Sequence, residues 1–289
     1  PGSWVESIQI TKGAGSVVNG FESISGQINA ELVKPATDNK FYLNAYGNLN
    51  GRLELNTHYN KKINNKWQTG IYLHGNHRGV KIDNNNDNFL DTPLAKQINI
   101  MNRWQYANNE TGWISFLTFR YMNDEKQTGQ LNFSPETDKG TTNSWGSEIK
   151  TERIDVATKL GYVFPELPYQ NIGFQFAYNN HDQESYFGLR DYNIKQQSVF
   201  SNIIFNSIIG DTRNKFKTGL SFSYDDYKEL VRDFEPINYD RNENAIGAFF
   251  EYAYDNTENF SITAGIRFDH HNLIGDFITP RLHLRYVAW

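Results

Sequence analysis

The sequence has 289 residues, a formal charge of -5 and no Cys. Its balanced acids and bases lack the basic footprint of a nucleic-acid binder, so no nucleic-acid partner is expected, and without Cys there is neither a disulfide framework nor a redox compartment to read. No run of about 18 apolar residues occurs, which excludes a helical membrane span but not a β-barrel, whose alternating lipid-facing and lumen-facing residues average out polar. An aromatic content of 15% on a hydrophilic chain fits that second case.

The opening residues, PGSWVES, have no basic start, apolar run or small-residue cleavage site, so they are no signal peptide. The pattern is already under way there, and the chain reads as a fragment. Residues 7–35, SIQITKGAGSVVNGFESISGQINAELVKP, set short β segments among Gly13, Gly15, Gly20 and Gly26. Glycine at that density permits tight turns and close backbone approach, so a compact piece packed against something is expected here rather than a spanning strand.

From about Lys40 onward, apolar residues recur at every second position, the period of a strand with one apolar face. Trp67, Ile71 and Leu73 alternate with Gln68, Tyr72, His74 and Asn76; Leu220 and Phe222 alternate with Ser221 and Ser223; Ile266 and Phe268 alternate with Arg267 and Asp269. Twelve strands of roughly 10 to 15 residues are predicted, near Phe41, Arg52, Trp67, Ile98, Trp113, Ile154, Ile172, Val199, Phe216, Ile246, Ile262 and Leu282. Tilted bilayer crossings need about 9 to 11 residues, against about 5 to 6 for the commonest soluble strand.

Short polar turns are predicted at residues 63–66, 108–111, 165–168, 210–214 and 255–259, and long polar segments at 80–96, 126–148, 183–196 and 229–243. Short connections on one rim and long ones on the other mark an outer-membrane barrel, periplasmic below and extracellular above. Trp67, Trp104, Tyr106, Trp113, Tyr162, Tyr169, Tyr252, Tyr254 and Trp289 cluster beside the short turns, where amphipathic rings would form the periplasmic girdle. Aromatic residues also suit strands in general.

The stretch VESIQITKGAGSVVNGFESISGQINAELVKP resembles the C-terminal end of the plug domain of TonB-dependent outer-membrane receptors. Glu6, Ile8, Lys12, Gly13, Ser16, Gly20, Gly26, Ile28 and Asn29 match that pattern, and GAGSVVNGFESISGQIN is most similar to receptors of the Bacteroidetes type. Asn19 and Phe21 depart from it, standing where Tyr and Gly are common, and Ser25 replaces the first Gly of a frequent pair. The resemblance implies an all-β fold, a transmembrane antiparallel β-barrel that in plugged transporters has about 22 strands. Residues 1–35 would be the C-terminal part of the plug and residues 36–289 the N-terminal part of the barrel, about half of a receptor.

By the same resemblance the protein sits in the outer membrane of a Gram-negative bacterium, in contact with outer-membrane lipid. It takes up a scarce substrate, energised by the inner-membrane TonB complex through a segment missing here. The expected substrate class is a metal or metal chelate such as a ferric siderophore, haem, a copper complex or cobalamin. A glycan or peptide importer working with a surface lipoprotein is one alternative, and a passive porin or adhesin is another. The glycine-rich start speaks against a passive barrel, which needs no plug. A soluble β-rich binding domain would have to pack its outward faces in a core.

Three groups of residues are candidates for chemistry. In KIDNNNDNFLD, Asp83, Asn85, Asp87 and Asp91 supply oxygens at spacings resembling a calcium loop, so Ca2+ in an extracellular loop is one reading. The turn Gly of such loops is replaced by Asn88 and the bidentate Glu is absent, and Asn/Asp runs are common in solvated loops. Arg267, Asp269 and His271 form a candidate ligand-binding group facing the lumen; Arg267, Arg281 and Arg285 would attract an anionic chelate or salt-bridge the plug. No nucleophile and base stand together in a catalytic pattern, and no enzymatic activity or required cofactor is expected.

Overall fold

The computed structural model describes residues 1–288. Trp289, counted above in the aromatic girdle, lies outside them. Two antiparallel sheets account for nearly all of the regular structure among the described residues. The small one pairs β1 (Val5–Lys12) with β2 (Gly26–Leu32), with Lys12 opposite Gly26 at the turn and Val5 opposite Leu32 at the open end.

The large sheet holds β3 (Phe41–Gly47), β4 (Arg52–Lys62), β5 (Trp67–Arg78), β6 (Leu94–Asn108), β7 (Trp113–Gly129) and β8 (Gly146–Val163). It continues through β9 (Asn171–Phe187), β10 (Arg190–Ile209), β11 (Asp211–Arg232), the short β12 (Pro236–Asn238), β13 (Arg241–Asp255), β14 (Phe260–His271) and β15 (Gly275–Tyr286). Strands follow one another around the sheet in chain order, with β12 set aside as an extra partner of β11. Each of the twelve residues near which a strand is predicted falls inside a strand of its own in the large sheet. Consecutive antiparallel pairing lets each strand satisfy its backbone groups against its neighbours, which a wall facing hydrocarbon requires.

Burial is inverted relative to a water-soluble domain. Leu53, Ile71, Leu73, Leu220, Ile246, Ile266, Phe268, Ile278 and Leu282 lie exposed on the outer face, while Asn56, His58, His74, Asn99, Arg103, Ser221, Arg267, Asp269 and Arg281 are buried on the inner one. An apolar outside around a polar inside is the arrangement a lipid-facing barrel wall needs. Near the short turns the outer rings touch in series: Trp67 with Trp104 and Tyr106, Trp113 with Tyr162, Tyr162 with Phe164, and Tyr254 with Phe260.

Two of the long polar segments are not loops. Residues 183–196 continue the β9–β10 ladder until Phe187 faces Arg190, leaving a turn of Gly188 and Leu189. In 229–243, β11 runs on to Arg232 and β12 folds back onto it. β7 to β11 are accordingly longer than predicted, with 17 to 22 residues, while β3 has 7. At about 3.3 Å per residue and a tilt near 45°, the 22 residues of β11 climb roughly 50 Å, about twice the ~25 Å apolar band. Above the band both faces meet water, so the ladder persists while the alternation of apolar residues that reveals a strand fades. Segment 126–148 does contain a connection, residues 130–145, with one helical turn at Pro135–Asp138.

The small sheet sits against the inner face of the large one. Trp4, 3% exposed, packs edge-on against Tyr72 of β5 at 6.2 Å, with Met101, Leu32 and Val33 completing the cluster. A buried indole of this size fixes the chain where it leaves the small sheet for the wall.

Candidate functional site

The turn between β1 and β2 is where the small sheet meets the wall most intimately. Gly13 and Gly20 adopt left-handed backbone, with φ of 82° and 93°, so that residues 13–25 double back within a short span. Ser16 caps the short 3-10 turn Val17–Asn19: its Oγ accepts from the Val18 amide at 3.2 Å and donates to Glu251 Oε2 at 2.6 Å. Val17 is fully buried. It rests on Gly265 of β14, where a β-carbon would come within 2.8 Å of the Val17 methyl carbon Cγ2.

Two arginines of the wall hold this turn by its carbonyls. Arg281 Nη1 donates to the carbonyls of Gly15 and Ser16, both at 2.8 Å, and its Nη2 donates to those of Gly20 (2.9 Å) and Phe21 (3.1 Å). Arg267 Nη1 reaches Val17 O at 3.3 Å, while Nη2 donates to Ser221 Oγ at 2.6 Å. The fork geometry of guanidinium suits such multiple capture. At the other end of the hairpin, Arg103 of β6 donates from Nη1 to Leu32 O (2.9 Å) and Val33 O (2.7 Å).

The candidate ligand group resolves into distinct roles. Arg267 and Asp269, 3% and 0% exposed, form a forked ion pair in which Nε and Nη2 of Arg267 donate to the Asp269 carboxylate at 2.6 to 2.9 Å. Gly247 leaves the space for that pair, since a β-carbon there would collide with both side chains. His271, 7% exposed, accepts the Leu273 amide on Nδ1 at 3.1 Å and meets Phe21 edge-on at 6.1 Å. It borders a cavity of about 350 Å3 between residues 18–22 and the inner face of β10, β11, β13 and β14. Arg285 stands exposed on β15, away from the turn that Arg281 grips.

The motif residues of the glycine-rich start occupy structural positions. Glu6 and Glu31 flank Lys34, whose Nζ lies 3.1 Å and 2.6 Å from their carboxylates. The hydrogen bond and charge of Lys34 hold Glu31 below its ordinary carboxylate value, and the two carboxylates raise Lys34. Lys12 and Gly26 close the turn end of the ladder, and Asn29 faces Gln9 across it on an exposed surface. Ile8, Ile10 and Ile28 are likewise exposed.

In the Asp83 loop the oxygens serve the loop itself. Asp83 accepts the amides of Asp87 (3.2 Å) and Asn88 (3.0 Å), Asp87 accepts that of Phe89 (2.8 Å), and Asp91 accepts both the amide and the side chain of Asn84. Asn85 donates to Asp87, and Asn86 and Asn88 take the left-handed backbone that Asn tolerates. Among the described residues, no three His, Cys, Asp or Glu side chains gather in a group able to hold a metal ion.

Sequence reading missed Arg103 and Glu251 as partners of the start. Both have inward parity on their strands, a signal that was present but shared with many other polar residues.

No protein-family model matches the chain, and no curated protein matches it. Solved structures do. The ferripyoverdine receptor of the outer membrane of Pseudomonas aeruginosa, bound to ferripyoverdine, matches with a TM-score of 0.73 at 11% identity over 99% of this chain and 43% of its own. The siderophore receptor PiuA from Acinetobacter baumannii matches with a TM-score of 0.68 at 12% identity over 97% of this chain and 50% of its own. The copper transporter OprC gives 0.69 at 12% identity over 97% of this chain and 47% of its own. The chain thus spans half the length of these proteins or less. Its fold is that of part of a plugged transmembrane β-barrel of the kind found in outer-membrane receptors.

Proposed function

We propose that the chain is part of a TonB-dependent receptor of the Gram-negative outer membrane that imports a metal chelate. Residues 1–35 are then the C-terminal part of its plug, residues 36–289 the first part of its barrel, and the short-turn rim is periplasmic. The observation that carries this reading is the occupied inner face: a glycine-rich hairpin is fastened to the wall by Arg103, Arg267 and Arg281 through backbone carbonyls. A passive pore has no use for such an obstruction, whereas an energised importer needs a barrier it can displace. The neighbours, whose names specify siderophores, ferripyoverdine and copper, support this substrate class.

Transport rather than chemistry on the substrate fits the inner wall, where polar side chains hold one another and the hairpin. The test is a chelate screen on the intact receptor in detergent, with metal content read by mass spectrometry before and after washing with a competing chelator. Retained iron, copper or cobalt chelate supports the reading. Failure to retain any of them, with an organic substrate bound instead, sinks it in favour of a glycan or peptide importer.

A further inference from the structure

A second cavity, of about 330 Å3, lies beside the exit of the hairpin, between residues 29–34 and the inner face of β6, β7 and β8. The antiparallel register lays out its wall. Arg103 of β6 faces Thr118 of β7, which faces Ala157 of β8, and two residues nearer the short turns Phe116 faces Lys159. All five border the cavity, and Ala157, with only a methyl group, leaves it open.

Arg103 is more than nine-tenths buried, yet only part of its guanidinium is engaged. Nη1 donates to Leu32 O and Val33 O, whereas Nε is buried without an acceptor and Nη2 donates to none among the described residues. The other two wall arginines are fully occupied. Arg281 sets both Nη atoms on hairpin carbonyls, and Arg267 holds the Asp269 carboxylate with Nε and Nη2. Arg103 has no such carboxylate. The Phe116 ring, 5.1 Å from its guanidinium carbon, offsets some of the charge but leaves Nε–H without a lone pair to meet. A buried donor left unbonded is costly, and an acceptor placed there recovers that free energy.

The rest of the lining adds to the imbalance. Lys34, Arg103 and Lys159 are three cations against one carboxylate, Glu31. Glu31 and, outside the lining, Glu6 are both taken by Lys34, at 2.6 and 3.1 Å. The free edge of Arg103 is the one that meets a carboxylate or phosphate side-on, through two parallel N–H···O bonds.

We propose that this cavity is an oxyanion site, in which a carboxylate or phosphate is held side-on by Nε and Nη2 of Arg103 and end-on by Lys159 Nζ. The anion then balances the arginine that grips Leu32 and Val33, at the point where the hairpin leaves for the wall. It is either free in solution or a carboxylate borne by another part of the full-length protein, since both present the same pair of oxygens. The inference rests on the hairpin and the wall, so a failed chelate screen leaves it standing.

The experiment is a crystal structure of the full-length protein, purified without phosphate or carboxylate buffers and soaked in sodium selenate, with selenium located by anomalous scattering. Selenate oxygens at about 2.7–3.0 Å from Arg103 Nε and Nη2 support a site for a free anion. A carboxylate of the protein in the same place supports the built-in source. Both nitrogens bonded only to water or carbonyls, with neither anion present, overturn the proposal. Where selenate is found, calorimetry in detergent follows on the natural protein, on K159Q and on A157L, which fills the cavity without touching the grip on Leu32 and Val33; heat-modifiable gel mobility checks folding. K159Q should weaken binding about threefold or more and A157L should abolish it. An affinity that neither variant changes, or no binding in solution, marks an adventitious ion only and overturns the free-anion site.

Discussion

Arg281 reaches back 265 residues to donate to the carbonyl of Ser16 at 2.8 Å, and the same guanidinium holds Gly15, Gly20 and Phe21. One side chain of β15 thereby closes the glycine-rich turn from outside. A hydrogen bond to a charged group contributes about 1.5–3 kcal/mol, and four sharing one side chain are not additive, so R281A should weaken the attachment by about 3–5 kcal/mol. Amide exchange of residues 13–25 should accelerate by two orders of magnitude or more, roughly what that loss implies, while β7–β10 stay protected. R281K, with a point charge in place of a fork, should fall between. Unchanged exchange in R281A would show that the turn holds without the arginine.

The Arg267–Asp269 pair behaves differently because its partner charge is fully buried. R267A leaves a carboxylate without compensation in a place water does not reach, a loss of about 3–5 kcal/mol. R267A/D269A removes both charges and should be markedly more stable than R267A alone. Denaturant unfolding of the four members of the double-mutant cycle, followed by tryptophan fluorescence, gives the comparison; a double variant no better than R267A contradicts it.

The wall was legible because a strand facing lipid writes its period into the sequence. Leu220 and Phe222 fall outside and Ser221 is buried inside, as alternation requires. The same logic failed at 183–196, where Asn, Gln, Asp and Glu on both faces hide a ladder that runs unbroken to Phe187 and Arg190. At the site, parity identified Arg267 and Arg281 as inward but could not show their acceptors. Those acceptors are backbone carbonyls, to which sequence is blind, and the buried partner of Arg267 is Asp269 two residues along its own strand. Arg103 and Lys159 lie on β6 and β8, so only the register through β7 brings them to one cavity.

The Asp83 loop separates two readings of the same oxygens. Asp83 caps the amides of Asp87 and Asn88, so D83A should speed exchange at those two amides by several-fold, equally in calcium and in chelator. Each lost cap corresponds to about 1 kcal/mol. Calcium-dependent protection at these amides in the natural protein, lost in D83A, would support the cation-binding reading.

Acid should loosen the hairpin exit from one identifiable place. Lys34 depresses Glu31 below its ordinary value of 4.5, so the folded form binds its proton less readily than an unfolded chain does. The contribution is therefore complete above that ordinary value and is lost as pH falls through the depressed one. Exchange at Leu32 to Lys34, corrected for intrinsic rates, should be flat from pH 7 to about 5 and rise below about 4. E31Q should show no such acid-dependent rise; a rise of the same size in E31Q would point to another carboxylate.

The fit of Val17 on Gly265 offers a direct test of whether the hairpin must leave the wall. A β-carbon on Gly265 would stand 3.4 Å from Val17 Cβ, close to the 3.5–4.5 Å that separates the β-carbons of a disulfide. The sequence has no Cys, so V17C/G265C introduces the only two thiols of this segment. Oxidation should join them, seen as loss of thiol labelling and a linked peptide in mass spectrometry, without altering substrate binding at the outer surface. If transport displaces the hairpin, uptake should stop in the oxidised variant and return on reduction. If residues 15–21 stay on the wall, uptake should continue with the disulfide formed, and the arginine clamp would then be a fixed anchor of the hairpin.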